Sequence, residues 1–226
     1  MSGKKKITQK ALLTYILEDG MPEVSIRYKR AQPIIEENLL LPDIDTLRME
    51  ICRCYVIGAY TACITLTSHL LEKYCKELLI IVDFGPAFLR VPDFEGTPLP
   101  DLSIHLNKDL SDTLRTCKSK GLLSKAHWKQ LDKYRDIFRN GFGHYTPAKI
   151  LQDRTFKVGL LKPDADNKME KVYNLHETPF AGLAIEIFAS ENAWPYLVTV
   201  ENFIRSTTRY FHNPKIDPGF PLLHLD

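Results

Sequence analysis

Near the middle of the 226-residue chain the sequence reads Arg139-Asn140-Gly141-Phe142-Gly143-His144, which sets a guanidinium, an amide and an imidazole within six positions. Those three groups suit one chemistry in particular. RNA carries its own nucleophile, the 2′-hydroxyl, so cutting it takes a general base for that proton and a fixed cation for the charge developing on phosphorus. His144 can be the base and Arg139 the cation. Asn140 lies one helical turn before His144, where its amide can orient either the imidazole or the phosphate. Neither a metal cluster nor a side-chain nucleophile is required. Tyr145 could stack on a base or act through its hydroxyl, or simply cover the groove as apolar surface.

The spacing alone is cheap. Arg205 and His212 form a second such pair, and a helix stopped by Gly141 and Gly143, with cations against its negative end, accounts for the same residues. Charge distribution sets the first pair apart. The net charge is +2, but from Arg115 to Arg139 eight cations face two anions, so that window carries +6 and the remainder −4. A polyanion would meet this field just before the Arg-Asn…His segment. A solvated helix face is the plainer reading of the same charges. Lys125, Lys129 and Lys133 recur every four residues, as a row able to hold an RNA backbone. Arg135 and Arg139 flank the apolar stripe Trp128, Leu131, Tyr134 and Phe138, where a guanidinium can be held at an interface.

Other chemistries are poorly supplied. Cys52, Cys54, Cys63, Cys75 and Cys117 contain no C-x-x-C pair and sit in apolar helical sequence, which suits small core residues better than a zinc site. His105, His127 and His176 have no spaced ligands. His69 followed by Glu72 is no zinc motif, and His69 is expected to pack in the bundle with a hydrogen-bond partner. Asp83-Phe84-Gly85 matches the kinase magnesium motif, but the glycine-rich strand and catalytic loop that belong with it are missing. No Gly-x-Ser-x-Gly, P-loop or dinucleotide fingerprint occurs. No metal or cofactor is expected. Nor does any apolar run approach the roughly 20 residues that span a bilayer. Met1 to Lys10 is polar and basic with no apolar stretch behind it. An intracellular, cytoplasmic protein without a membrane partner is the expectation.

The elements that must position these groups read as helices. Lys10–Glu18 and about Ser25–Leu40 come first, the latter with Pro33 inside it. Pro42 with Asp43 or Asp45 opens another, carrying Leu47, Ile51, Cys54 and Tyr55 at helical spacing until Gly58. From Ala59 to about Ile81 two apolar stripes run side by side, Tyr60/Ile64/Thr67/Leu71/Tyr74/Leu78 and Ala59/Cys63/Leu66/Leu70, as on a helix packed on two faces. A Pro- and Gly-rich loop covers Asp83–Asp101. A helix from about Asp109 ends at Gly121, and Ser124 caps the next, to about Asn140. If that helix ran on, Asn140 and His144 would share a face. Thr155–Leu160 and Glu170–Leu175 are β-like runs around a turn-rich Pro163–Asn167, hence a hairpin. Phe180–Ala189 reads as a short helix and Ala193–Phe211 as a longer one.

The helix, glycine break and two-sided helix from Glu50 to Leu79, taken with the later Arg139-Asn140…His144, resemble the HEPN superfamily of helical domains. The family motif is Arg-x4–6-His, often with a polar residue after the arginine, and Arg139, Asn140 and His144 match it position by position. The resemblance covers about residues 44–147; glycines on both sides of Phe142 depart from it. It implies one mainly α, HEPN-like bundle, elaborated by a hairpin at about 154–175 and extra helices at about 180–212. It also implies a metal-independent endoribonuclease of a toxin–antitoxin or antiviral defence system. Arg139, Asn140 and His144 would be catalytic, and Lys125, Lys129, Lys133, Arg135 and Tyr145 would contact RNA. Such domains pair as homodimers whose two motifs share a groove, so a second His144 could protonate the leaving 5′-oxygen. An antitoxin or another defence protein would be the further partner. Some members have lost catalysis and serve as RNA-binding or protein-interaction modules, which is the alternative reading here.

Overall fold

The computed structural model describes residues 21–39, 41–85, 101–160 and 169–208. The helix expected at 10–18, most of the Pro-rich loop, the hairpin turn and His212 lie outside them. The described chain is mainly helical, with one two-stranded sheet.

Helix α1 spans Met21–Glu36 and α2 spans Pro42–Val56, with Pro42 in the first turn, where its missing N–H leaves nothing unpaired. Asp45 caps the start of α2 from within: its carboxylate accepts from the Leu39 and Leu41 amides at 3.2 and 3.1 Å. The buried face of α2 is Ile44, Arg48, Ile51, Cys52 and Tyr55. It is rotated from the expected Leu47/Cys54 stripe, because Arg48 turns inward to meet an acid from another helix. Gly58 then adopts φ +80°, a conformation that favours glycine, and releases the chain into α3, Tyr60–Phe84.

α3 is the central element. It packs on α2 along one side and, along another, on α8, the last described helix, Ala181–Thr207. Its Cys63, Ile64, Leu70, Leu71, Tyr74, Cys75, Leu78 and Leu79 are fully buried, which is why two apolar stripes were needed. Burial of a side chain of this size stabilises by about 1.5–3 kcal/mol. Two tyrosines tie α3 to α8: Tyr74 donates to the Ile204 carbonyl at 3.0 Å, and Tyr196 donates to Ser68 at 3.2 Å. The short α4, Ser103–Leu106, and α5, Leu110–Ser119, follow; Asp109 caps α5 by accepting from the Asp112 amide. Gly121 has φ +74°, and Ser124 caps α6, Lys125–Tyr134, through the His127 amide.

After α7, Pro147–Leu151, the chain forms β1, Thr155–Leu160, and β2, Met169–Asn174, paired antiparallel with Thr155 opposite Asn174. The two helices expected after the hairpin are one. α8 runs without a break through Ser190-Glu191-Asn192 and Pro195. Ser190 and Asn192 turn their polar atoms onto the carbonyls of Ile187 and Phe188, so the helix keeps one apolar face from Ile185 to Ile204.

A buried ion pair joins α2 to α8. Arg48 donates from Nε and Nη2 to the two carboxylate oxygens of Glu201, both at 2.8 Å, and from Nη1 to Asp45 at 2.8 Å. Burial opposes the guanidinium charge, but the hydrogen bonds to Glu201 and Asp45 hold its pKa above the ordinary value. Four of the five cysteines are core residues as expected, with Cys54 half-buried. Burial pushes Cys52 and Cys63 up to about 12, so neither is a thiolate at neutral pH.

Candidate functional site

The helix that carries Arg139 does not stay regular. Beyond Tyr134 the backbone widens into a π-helical stretch, Arg135–Asn140, and then closes again as α-helix over Gly141–Gly143. The wider turn carries an extra residue, so the rows drawn for an ideal helix do not continue across it. Ile137 and Phe138 both go inward, and Phe138 packs against Tyr196 and Phe188 of α8.

Gly141 is required by close packing and does not stop the helix, whereas Gly143 is its last residue. A Cβ on Gly141 would lie 2.9 Å from Ile150 Cγ1, because α7 crosses there. A Cβ on Gly143 would lie 3.0 Å from Arg139 Nη1, because the guanidinium lies against that residue. The helix ends at Gly143, with His144 as its C-cap residue. The Thr146 amide donates to the Gly141 carbonyl at 2.7 Å and the Tyr145 amide to the Phe142 carbonyl at 3.2 Å, the paired bonds of a Schellman cap. Tyr145, at φ +45°, holds the left-handed position that glycine usually takes. Such a residue costs about 1–2 kcal/mol. The cap leaves His144 and Tyr145 exposed at the helix end.

Arg139 is fixed from its other side by α3. Its Nε lies 3.6 Å from Glu72 Oε2, and Glu72 also accepts from Lys76 at 2.9 Å. These side chains form one wall of a cleft of about 480 Å³. His69, Lys73 and Glu77 of α3 line it further, with Leu47 of α2 and Leu106 of α4 opposite. Burial raises Glu77 to about 7, with Lys73 lowering it and Asp43 raising it. The cleft wall thus carries three cations, Lys73, Lys76 and Arg139, each paired with a carboxylate of Glu72, Glu77 or Asp43.

The other residues singled out from sequence are distributed as follows. The Asn140 amide donates to Asp136 at 3.4 Å, and Lys149 reaches the same carboxylate at 3.3 Å. Within one chain the amide therefore serves the helix surface. Burial acts to raise Asp136, but these two donors bring it below its usual range. Arg135 is held by Asp132 at 2.8 Å. Lys125, Lys129 and Lys133 are exposed along α6. Arg205 pairs with Glu37 at 2.6 Å, at the exposed edge of the Arg48–Glu201 network.

His69 differs from its expectation. It is exposed on the cleft wall and is not packed inside the bundle. Glu72 and Lys76 were not singled out as site residues at all. The available signal was the polar recurrence His69, Glu72, Lys73, Lys76 at three- and four-residue spacing, the one solvent-facing stripe on a helix otherwise packed on two sides. His105 is buried with Nε2 2.8 Å from Asp83, whose other oxygen accepts from Lys120 at 2.5 Å, so the kinase-like Asp83 serves an internal contact. Among the described residues no three His, Cys, Asp or Glu side chains come together as a metal site, and no helix is long and apolar enough to cross a membrane.

The chain matches no family model, no curated protein and no solved structure.

Proposed function

We propose that this protein is a metal-independent endoribonuclease of the HEPN type, cutting RNA through the 2′-hydroxyl to leave a 2′,3′-cyclic phosphate and a 5′-hydroxyl. The observation that carries the reading is the placing of Arg139 between Glu72 and Gly143 at the wall of a cleft, with His144 exposed at the adjoining helix end. A held guanidinium costs little reorganisation when charge develops on phosphorus. His144 takes the 2′-hydroxyl proton. Asn140 steers the phosphate, which requires it to exchange Asp136 for the substrate. Lys125, Lys129 and Lys133 hold the RNA backbone, with Arg135 and Tyr145 as further contacts. A role in toxin–antitoxin or antiviral defence follows from the family resemblance.

The same reading includes a homodimer. Tyr145, Phe180, Leu183 and Ile187 are exposed apolar side chains, and Tyr145 reaches within 4.0 Å of where a Gly182 Cβ would stand. A second copy covering this row would bring two Arg139/His144 motifs near one another. A non-catalytic interaction module is the second reading. Exposed Phe156, Val172 and Tyr173 on the hairpin favour it.

The experiment is cleavage of an RNA and of the same RNA carrying one 2′-deoxy substitution at the cut site. Cleavage should persist in EDTA and vanish at the substituted position. Arg139→Ala and His144→Ala should each lose on the order of 10²-fold or more. Undiminished cutting at the 2′-deoxy site, or abolition by chelator, would overturn the reading.

A further inference from the structure

A base and a cation leave the reaction one group short, because the 5′-oxygen must receive a proton as its bond to phosphorus breaks. The cleft contains one imidazole, and it belongs to α3. His69 precedes Glu72 by three residues, so the two side chains lie one turn apart on the same face. Glu72 is the residue that holds Arg139. His69 is exposed, lines the cleft with Arg139, and has no hydrogen bond to any described residue. Its ring is therefore open to a ligand.

The placing of the guanidinium matters more than mere proximity. Arg139 Nη1 lies against Gly143, the neighbour of His144, while Nε faces Glu72, one turn from His69. His69 and Arg139 thus line one cleft, while Gly143, the residue before His144, lies against the guanidinium's Nη1. In-line displacement asks for a base beside the attacking 2′-oxygen, a cation at phosphorus and an acid beside the departing 5′-oxygen, and His69 is the imidazole that the Arg139 cleft offers for the last of these. Lys73 and Lys76, in the same cleft, would hold the chain beyond the cut.

We propose that His69 is the general acid of the cleavage, so that the proton donor comes from the same chain's central helix and not from His144 of a second copy. This rests on the ribonuclease reading. In the step, neutral His144 removes the 2′-hydroxyl proton as the 2′-oxygen bonds to phosphorus. The P–O5′ bond breaks, its electrons pass to O5′, and the His69 imidazolium gives that oxygen its proton. The products are the 2′,3′-cyclic phosphate and the 5′-alcohol. Solvent exchange then restores both rings.

The test compares wild type, His69→Ala and His144→Ala on an ordinary RNA and on one whose scissile 5′-oxygen is replaced by sulfur. A thiolate leaves without being protonated. His69→Ala should therefore fall on the order of 10²-fold on the oxygen substrate but come within a few-fold of wild type on the sulfur substrate. His144→Ala should be defective on both. His69 is exposed, so circular dichroism should show an unchanged fold. Unimpaired cleavage of the oxygen substrate by His69→Ala would overturn the proposal, as would an equal defect on both substrates or sulfur rescue of His144→Ala. Failure of wild type to cut either RNA would instead remove the ribonuclease reading itself, and this proposal with it.

Discussion

Glu72 Oε2 lies 3.6 Å from Arg139 Nε, and Lys76 holds the same carboxylate at 2.9 Å. The contact spans two helices distant in sequence and sets where the guanidinium points. Glu72→Ala should therefore lower kcat on RNA by about tenfold or more while changing Tm little, because a half-exposed pair contributes only about 0–1 kcal/mol to stability. A large fall in Tm with kcat per folded molecule unchanged would show that the pair only braces the fold.

The two glycines of the motif should separate stability from activity. Gly141→Ala places a methyl 2.9 Å from Ile150, in a core with no slack, and should cost about 1–3 kcal/mol by urea denaturation. Gly143→Ala instead pushes on the end of the Arg139 side chain at 3.0 Å. It should leave the urea midpoint nearly unchanged and reduce RNA cleavage. The reverse pattern would mean that Gly143 has no part in placing the guanidinium.

The Arg48–Glu201 pair should behave as a buried charge pair does. Removing one partner, as in Arg48→Met, leaves Glu201 in the core with only Arg205, at 3.9 Å, beside it and should cost about 3–5 kcal/mol. Arg48→Met combined with Glu201→Leu should recover much of that loss, since two apolar groups no longer need solvation. Chemical denaturation of the two variants decides it. A double variant no better than the single one would show that the hydrogen bonds to Asp45 and Glu37 are the larger part of the network.

Glu77 makes stability depend on pH in a defined direction. Its pKa is about 7 in the folded chain against an ordinary value of 4.5, chiefly because it is buried. Between those values the folded state binds more protons than the unfolded one, so this contribution is full below pH 4.5 and is lost as pH rises through 7. Glu77→Gln should remove that slope and make the protein more stable than wild type at pH 8, by on the order of 2 kcal/mol. Denaturation curves at pH 5 and pH 8 test it. Parallel pH dependence in the two proteins would assign the slope elsewhere.

The helical boundaries were legible wherever a local signal set them. Gly58 and Gly121 need positive φ, Asp109 and Ser124 cap, and Pro42 opens a helix. Each acts through its own backbone or within a turn. The continuous α8 was not legible, because a polar Ser190-Glu191-Asn192 reads as a break until the apolar face on either side is seen to be one face packed on α3. The π-helical stretch was equally hidden. Nothing in Arg135–Asn140 demands it locally; it brings both Ile137 and Phe138 inward, Phe138 against α8.

By itself the sequence determined that the chain is mainly helical, that its central helix is packed on two sides, that a hairpin follows, and which residues could do chemistry on RNA. Periodicity, caps and residue type are local properties, and a single strand of sequence carries them. Only the tertiary structure decided which side chains share a cleft. Arg139 meets Glu72 across 67 positions, His69 turns to the surface beside them, and Asn140 turns away to Asp136. Those relations depend on how α3 and the π-helical stretch Arg135–Asn140 lie against one another and on the extra residue in the π turn. A shift of one residue in either helix rotates a side chain by about 100°, so no reading of spacing alone could have fixed them.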